Sequence, residues 1–216
     1  MNTMNTSYEL REDHIAIFDG FFQEKLLDDY IKYFDFYSNF KYYDGEGPLP
    51  PDAKIENKKY VYDRANDRIK DKNIDTITST FWTQDYMDVS MISHDVVNTF
   101  FDKIYPIYTE KYFVLGASSR HSIFEIKVQK TKPTEGYHVW HHEKDAFRTR
   151  NRLMAFILYL NDVEEGGETE FPRLELAVKP KLGRCLIFPP LWMFPHCGRI
   201  PVSHSKYIVG SYLHYQ

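Results

Sequence analysis

The spacing of apolar positions changes near residue 120. Ahead of that point it is helical. From Gln23 to Phe36, Leu26, Leu27, Tyr30, Ile31 and Phe34 recur three and four apart on one stripe, which predicts an amphipathic helix. Val96, Val97, Phe100, Phe101, Ile104 and Ile107 form a second stripe and predict a longer helix over Ser93–Phe113. Core packing accounts for both stripes, and His14–Phe18 reads as a strand. Beyond residue 120 the period drops to two. Phe124, Ile126 and Val128 alternate with Ile123, Glu125 and Lys127, the pattern of an opening strand over Ser122–Val128.

Arg152 to Asn161 is a mostly apolar run suited to a strand buried on both faces. It ends in Asp162-Val163-Glu164-Glu165-Gly166-Gly167, a turn whose two glycines supply positive φ. Short strands follow at Glu168–Phe171, Leu174–Val178 and Arg184–Phe188, with Pro172, Pro180 and Gly183 between them. Pro189-Pro190 breaks the chain before Trp192–Gly198, and a tight turn over Ile200–Ser205 leads into a last strand, Lys206–Tyr215. This punctuation predicts an α+β, mainly β fold with a β-sandwich or jelly-roll core, not alternating βαβ units. No internal repeat or linker is visible, and 216 residues suit one domain with a substantial core.

Composition narrows the classes. An aromatic content of 17% suits a packed β core with a ring-lined cleft. A net charge of −4 argues against general affinity for nucleic-acid phosphates. Two cysteines, Cys185 and Cys197, do not make a disulfide framework and fit a reducing compartment. The first residues lack the basic-then-apolar pattern of a signal peptide, and no apolar run approaches membrane-spanning length. The expectation is a cytoplasmic protein with neither membrane nor nucleic-acid partner.

Candidate chemistry gathers in the second half. Tyr137–Glu143 follows the turn signal Pro133–Gly136, is rich in aromatic and β-favouring residues, and reads as a strand. Residues two apart on a strand share a face, so His141 and Glu143 point the same way with Tyr137 further along. His138 and His142 point oppositely. His196 follows Glu143 by fifty-three residues, and Lys206 comes ten later. Two imidazoles and one carboxylate make the three-ligand face that holds non-haem Fe(II) and leaves positions open. A buried lysine is costly unless paired, and a dicarboxylate co-substrate supplies the partner. His-x-Glu alone is common by chance. The ordinary reading of His121, His138, His142 and His204 is surface or core, and that of Lys206 is an exposed strand lysine. It is the order and spacing that favour a site.

These residues lie in longer stretches: Gly136–Glu143, Tyr159–Thr169, Pro180–Arg184, Phe188–Pro190, His196–Gly198 and Lys206–Ile208. In this order, over residues 121–216, they resemble the Fe(II)/2-oxoglutarate dioxygenases of the prolyl-4-hydroxylase type, particularly small microbial and phage-like members with a Trp-His-x-Glu variant. The resemblance implies a single domain over 1–216. Residues 119–216 would form a double-stranded β-helix (jelly-roll) catalytic core, and 1–118 a helical buttress packed on one sheet. It implies Fe(II) on His141, Glu143 and His196, and 2-oxoglutarate with its distal carboxylate on Lys206, helped by the Tyr159 hydroxyl. Tyr137 is a further candidate for that pocket. O2 would be the oxidant and ascorbate an auxiliary. Oxidative decarboxylation of the keto-acid would drive C–H hydroxylation, while the protein positions the target carbon.

Three positions depart from the family pattern. The usual carboxylate ligand is aspartate, and Glu143 is one methylene longer. Gly210, followed by Ser211, stands where many relatives have threonine, and no tyrosine occurs near Gln129–Thr131. The implied substrate is a peptidyl residue, proline first, or a free amino acid; the acidic net charge weighs against the nucleic-acid-dealkylating branch. The rival class is a β-sandwich interaction protein that keeps the fold without the chemistry, which needs none of these four residues. A metal cupin working without 2-oxoglutarate leaves Lys206 and Tyr159 unexplained. Two segments are candidates for substrate choice. One is the turn-rich loop Tyr42–Asp52. The other is Lys144–Arg150, where Arg148, Arg150 and Arg152 read equally as a rim for an acidic substrate or as a solvated turn.

Overall fold

The computed structural model describes residues 5–39, 54–64, 67–80, 87–118, 120–123, 125–133 and 136–215. The loop over 42–52 and Phe124 lie outside the described residues. In chain order the elements are β1 (Ser7–Leu10), β2 (Ala16–Asp19), α1 (Glu24–Asn39), β3 (Lys54–Arg64), β4 (Asp67–Thr80) and α2 (Met87–Thr99). A π-helical turn (Phe100–Ile104), α3 (Tyr105–Lys111), α4 (Phe113–Gly116), β5 (His121–Ser122), β6 (Glu125–Thr131) and β7 (Tyr137–His141) follow. Then come β8 (Arg152–Tyr159), β9 (Thr169–Phe171), β10 (Leu176–Val178), β11 (Cys185–Phe188), β12 (His196–Gly198) and β13 (Lys206–Tyr215).

Among the described residues the strands make two antiparallel sheets. The larger runs β1-β2-β11-β8-β13-β6-β4-β3, with β5 also on β13, and the smaller runs β10-β9-β12-β7. The first half is therefore more than a helical buttress, because β1 to β4 extend the large sheet at both edges, β2 on β11 and β4 on β6. The outer backbone groups of β11 and β6 gain partners this way. Of these, β2 matches the strand read over His14–Phe18, whereas β1 is only four residues long and β3 and β4 are rich in Lys and Asp, which hid them.

Two apolar clusters flank the large sheet. Leu27, Tyr30 and Phe34 of α1 and Val96 of α2 pack with Phe100, Ile104, Phe156, Leu158, Val209 and Leu213. Ala155 and Tyr159 of β8 instead join Phe171, Val178, Leu186 and Phe188. Strand alternation thus sends β8 side chains into both clusters, which explains its nearly continuous apolar run. Phe156 stacks on Phe100 with ring centroids 5.1 Å apart, and truncating such a buried ring to alanine costs about 3–5 kcal/mol.

The second predicted helix begins earlier, at Met87, and is not continuous. Pro106, in the first turn of α3, has no N–H to give the Asp102 carbonyl, and the chain widens just before it into the π turn, with Tyr105 N–H donating to the Phe100 carbonyl. Cys185 and Cys197 are both buried and unbridged. Among the described residues no helix is long and apolar enough to cross a membrane.

Candidate metal centre

β7 and β12 lie side by side in the small sheet, and their pairing sets His141 directly opposite His196. The next pair is Tyr137 with Gly198, so four steps on β7 are matched by two on β12. The register shifts between these two pairs. The Tyr137 and His138 side chains lie outside the described residues. β7 also ends at His141, so Glu143 sits in the bend beyond the strand. Its carboxylate nevertheless returns to His141.

The three side chains converge. One ligand atom from each of His141, Glu143 and His196 lies within 4.8 Å of the others. Glu143 Oε1 is 3.2 Å from His141 Nε2 and 3.3 Å from His196 Nε2. The other imidazole nitrogens are engaged elsewhere: His141 Nδ1–H donates to the Val139 carbonyl at 2.8 Å, and His196 Nδ1–H to the Phe194 carbonyl at 3.0 Å. A carbonyl only accepts, so each Nδ1 carries the proton and each Nε2 turns a lone pair inward. Three lone-pair donors aimed at one another repel unless a cation lies among them. Nitrogen and oxygen donors in this two-to-one ratio suit divalent iron.

Electrostatics keep the carboxylate ionised and His196 neutral. Burial pushes the Glu143 carboxyl up, but the hydrogen bonds and positive charge that His141 and His196 bring to it when protonated outweigh burial and hold the group well below the usual carboxylate range. A cation among the three atoms acts in the same direction. Burial pushes the His196 imidazole down. An ionised carboxylate and neutral imidazoles are the forms that bind metal. His196 is 3% exposed, with Phe188 and Phe171 rings at 4.6 and 5.4 Å.

Two further partners of Glu143 were missed in the sequence. The Tyr212 hydroxyl, from β13, donates to Oε2 at 2.5 Å. Arg152 donates to the Glu143 backbone carbonyl at 2.6 Å, with Oε2 at 3.4 Å. Arg152 therefore turns onto Glu143, away from the role of substrate rim suggested by its basic neighbours. Its signal was present, since a lone arginine opens an otherwise apolar strand. Tyr212 gave none, because an aromatic on a strand is ordinary.

Lys206 is 5% exposed, and its ammonium donates to the Gly167 carbonyl at 2.9 Å. Among the described residues that neutral oxygen is its one hydrogen-bond acceptor. Burial pushes its pKa down to about 8, against the pull of the Glu168 carboxylate. Gly167 adopts φ +79°, the left-handed region that glycine tolerates. Tyr159 is fully buried, and its hydroxyl donates to Thr169 Oγ1 at 2.7 Å. Ile208 and Tyr212 of β13 pack against the Tyr159 cluster, and Lys206 shares their face by alternation. The buried, under-partnered cation fits a dicarboxylate anion. Of the other histidines, His204 meets the Asp162 carbonyl and His121 the Tyr105 hydroxyl.

With this geometry in place, the comparisons are direct. Residues 126–214 match the profile of the 2OG-Fe(II) oxygenase superfamily. The type that recurs among the matches is the prolyl 4-hydroxylase, as the sequence motifs suggested. Probable prolyl 4-hydroxylase 3 of Arabidopsis thaliana is 35% identical over 28% of this chain and 27% of its own length. The chain thus spans about a quarter of the curated relatives it matches. The viral collagen prolyl hydroxylase of Paramecium bursaria Chlorella virus-1, solved as a 2OG complex, superposes over 95% of this chain and 98% of its own with TM-score 0.57 and 17% identity. A Trichoplax adhaerens prolyl hydroxylase superposes over 95% and 85% with TM-score 0.59 and 12% identity. At such identities the likeness establishes the fold. The family implies Fe(II), 2-oxoglutarate and O2.

Proposed function

We propose that this chain is an Fe(II)- and 2-oxoglutarate-dependent hydroxylase that uses O2 to hydroxylate a prolyl residue in a peptide or protein. The carrying observation is the convergence of His141 Nε2, His196 Nε2 and Glu143 Oε1 with both Nδ1–H groups tied to backbone carbonyls. Iron held at these atoms supplies oxidative decarboxylation of 2-oxoglutarate coupled to C–H hydroxylation. Lys206 receives the distal carboxylate, which gives the buried ammonium an anionic partner, and Tyr159, fixed by Thr169, lines the same space. Tyr137 joins the pocket on the strength of the sequence motif alone. In this reading the two sheets are the walls of a double-stranded β-helix, the helices buttress the larger wall, and residues 1–216 act as one unit.

Support for a peptidyl substrate comes from the relatives: the Trichoplax enzyme was solved with a peptide fragment of the hypoxia inducible factor oxygen degradation domain. The test supplies Fe(II), 2-oxoglutarate and O2 with a panel of proline-containing peptides and free amino acids. It reads 2-oxoglutarate consumption and product mass. A gain of one oxygen on a peptide is the expected result. A gain confined to a free amino acid overturns the peptidyl substrate. Absence of both iron binding and 2-oxoglutarate consumption leaves an interaction protein and overturns the whole reading.

A further inference from the structure

The two oxygens of Glu143 have different surroundings. Oε1 faces the two imidazole nitrogens at 3.2 and 3.3 Å. Oε2 is turned away from them, accepting from the Tyr212 hydroxyl at 2.5 Å with Arg152 Nη1 at 3.4 Å. The residues around Oε2 also brace one another. The Arg152 guanidinium lies 3.5 Å over the Tyr212 ring, and the Lys127 ammonium lies 5.7 Å from the same ring centroid. Arg152 is anchored a second time through the Glu143 backbone carbonyl at 2.6 Å. Backbone and carboxylate of Glu143 are therefore gripped by one arginine, while a braced phenol fixes the outer oxygen.

From this arrangement we infer that Tyr212 and Arg152 are positioning residues that hold Glu143 as a one-oxygen ligand; the inference rests on the metal reading above. A carboxylate binds a metal through one oxygen or two, and a glutamate has one more rotatable bond than aspartate with which to bring the second oxygen round. Engaging Oε2 removes that freedom. The consequence is a count of positions. Two nitrogens and one oxygen fill three sites of an octahedral ion and leave three, enough for the two donor atoms of a keto-acid and for O2. A two-oxygen Glu143 would leave two, and the keto-acid would then have to compete for a place.

The test uses the full chain loaded with Co(II), whose visible absorption reports coordination number, and titrates 2-oxoglutarate into it. In Tyr212→Phe, Co(II) affinity is expected to fall by less than about tenfold, the cobalt spectrum to change before any co-substrate is added, and 2-oxoglutarate affinity to fall about tenfold or more. Arg152→Lys keeps the charge but loses the planar stack, and should shift the spectrum in the same direction to a smaller extent. It also reads the same quantities if Tyr212→Phe does not fold. A residue that merely supported the fold would lower the unfolding midpoint and leave the cobalt spectrum of the folded protein alone. Parent-like spectra and parent-like 2-oxoglutarate affinity in the variants overturn the positioning role while the metal site stands. Failure of the parent chain to bind Co(II) at all overturns the proposed function and this inference with it.

Discussion

The histidine corner and the lysine corner treat polar groups in opposite ways. At the histidine corner each donor atom has a companion held by a second partner: both Nδ1–H groups on backbone carbonyls, Glu143 Oε2 on Tyr212. At the lysine corner a buried ammonium has a neutral carbonyl for company. The first arrangement is organised before anything binds. The second carries an electrostatic cost until an anion arrives. Metal affinity should therefore depend on ligands that are already in place, whereas co-substrate binding should feed directly into the stability of the fold.

The sharpest break in that contrast is loss of a ligand. His141→Ala or His196→Ala is expected to abolish high-affinity iron binding in equilibrium dialysis, whereas His138→Ala and His142→Ala retain most of it. Equal losses in His141→Ala and His138→Ala would place the ligand on the other face of β7.

A smaller effect is expected from Glu143→Asp. The shorter arm cannot keep one oxygen between the imidazoles and the other on Tyr212, and a misplacement of about 1 Å costs up to about a hundredfold in turnover. Turnover at the parent rate would show that glutamate is tolerated and not matched to its surroundings.

At the lysine corner, Lys206→Ala should raise the 2-oxoglutarate requirement by about 1.5–3 kcal/mol, roughly ten- to hundredfold, the contribution of a charge-assisted contact. An unchanged requirement removes Lys206 from the site.

The same residue makes a pH prediction in the ligand-free protein. Its folded pKa, about 8, lies below the ordinary 10.5. Between those values the unfolded chain binds more protons than the folded one, so stability rises with pH; below about 8 the full penalty remains. The rise is about 3 kcal/mol at most. Urea unfolding across this window should show it in the parent and not in Lys206→Met, and saturating 2-oxoglutarate should flatten the parent curve. A Lys206→Met curve that rises like the parent would assign the effect elsewhere.

The smallest change is Tyr159→Phe, which loses the bond to Thr169. Stability should drop by about 1 kcal/mol, and the 2-oxoglutarate requirement should move less than in Lys206→Ala. A larger shift than that of Lys206→Ala would exchange the ranks of the two residues.

Legibility from sequence followed the range of the interactions. The stripe Leu26, Leu27, Tyr30, Ile31 and Phe34 placed α1 because a helix face is a local repeat, and four of its five members are buried. The continuous apolar run of β8 and the paired glycines at 166 and 167 were equally readable. The break in the second helix was less so, since Pro106 signals an interruption but not the π turn that accommodates it. Strand β7 was found but carried two residues too far, because residue preference does not mark where pairing with β12 stops.

The sequence by itself determined the type of chemistry on offer: the identities, order and spacing of His141, Glu143, His196 and Lys206 within a run of short, punctuated strands. Those are properties of composition along the chain and need no knowledge of contacts. The tertiary structure alone decided how the groups are held. Pairing of β7 with β12 set the two histidines face to face, and β13 brought Tyr212 to a carboxylate sixty-nine residues earlier. Burial left Lys206 with one neutral acceptor among the described residues. Each of these depends on which distant strands meet; the local pattern says which face of a strand is buried and so constrains register, but it does not name the partner strand.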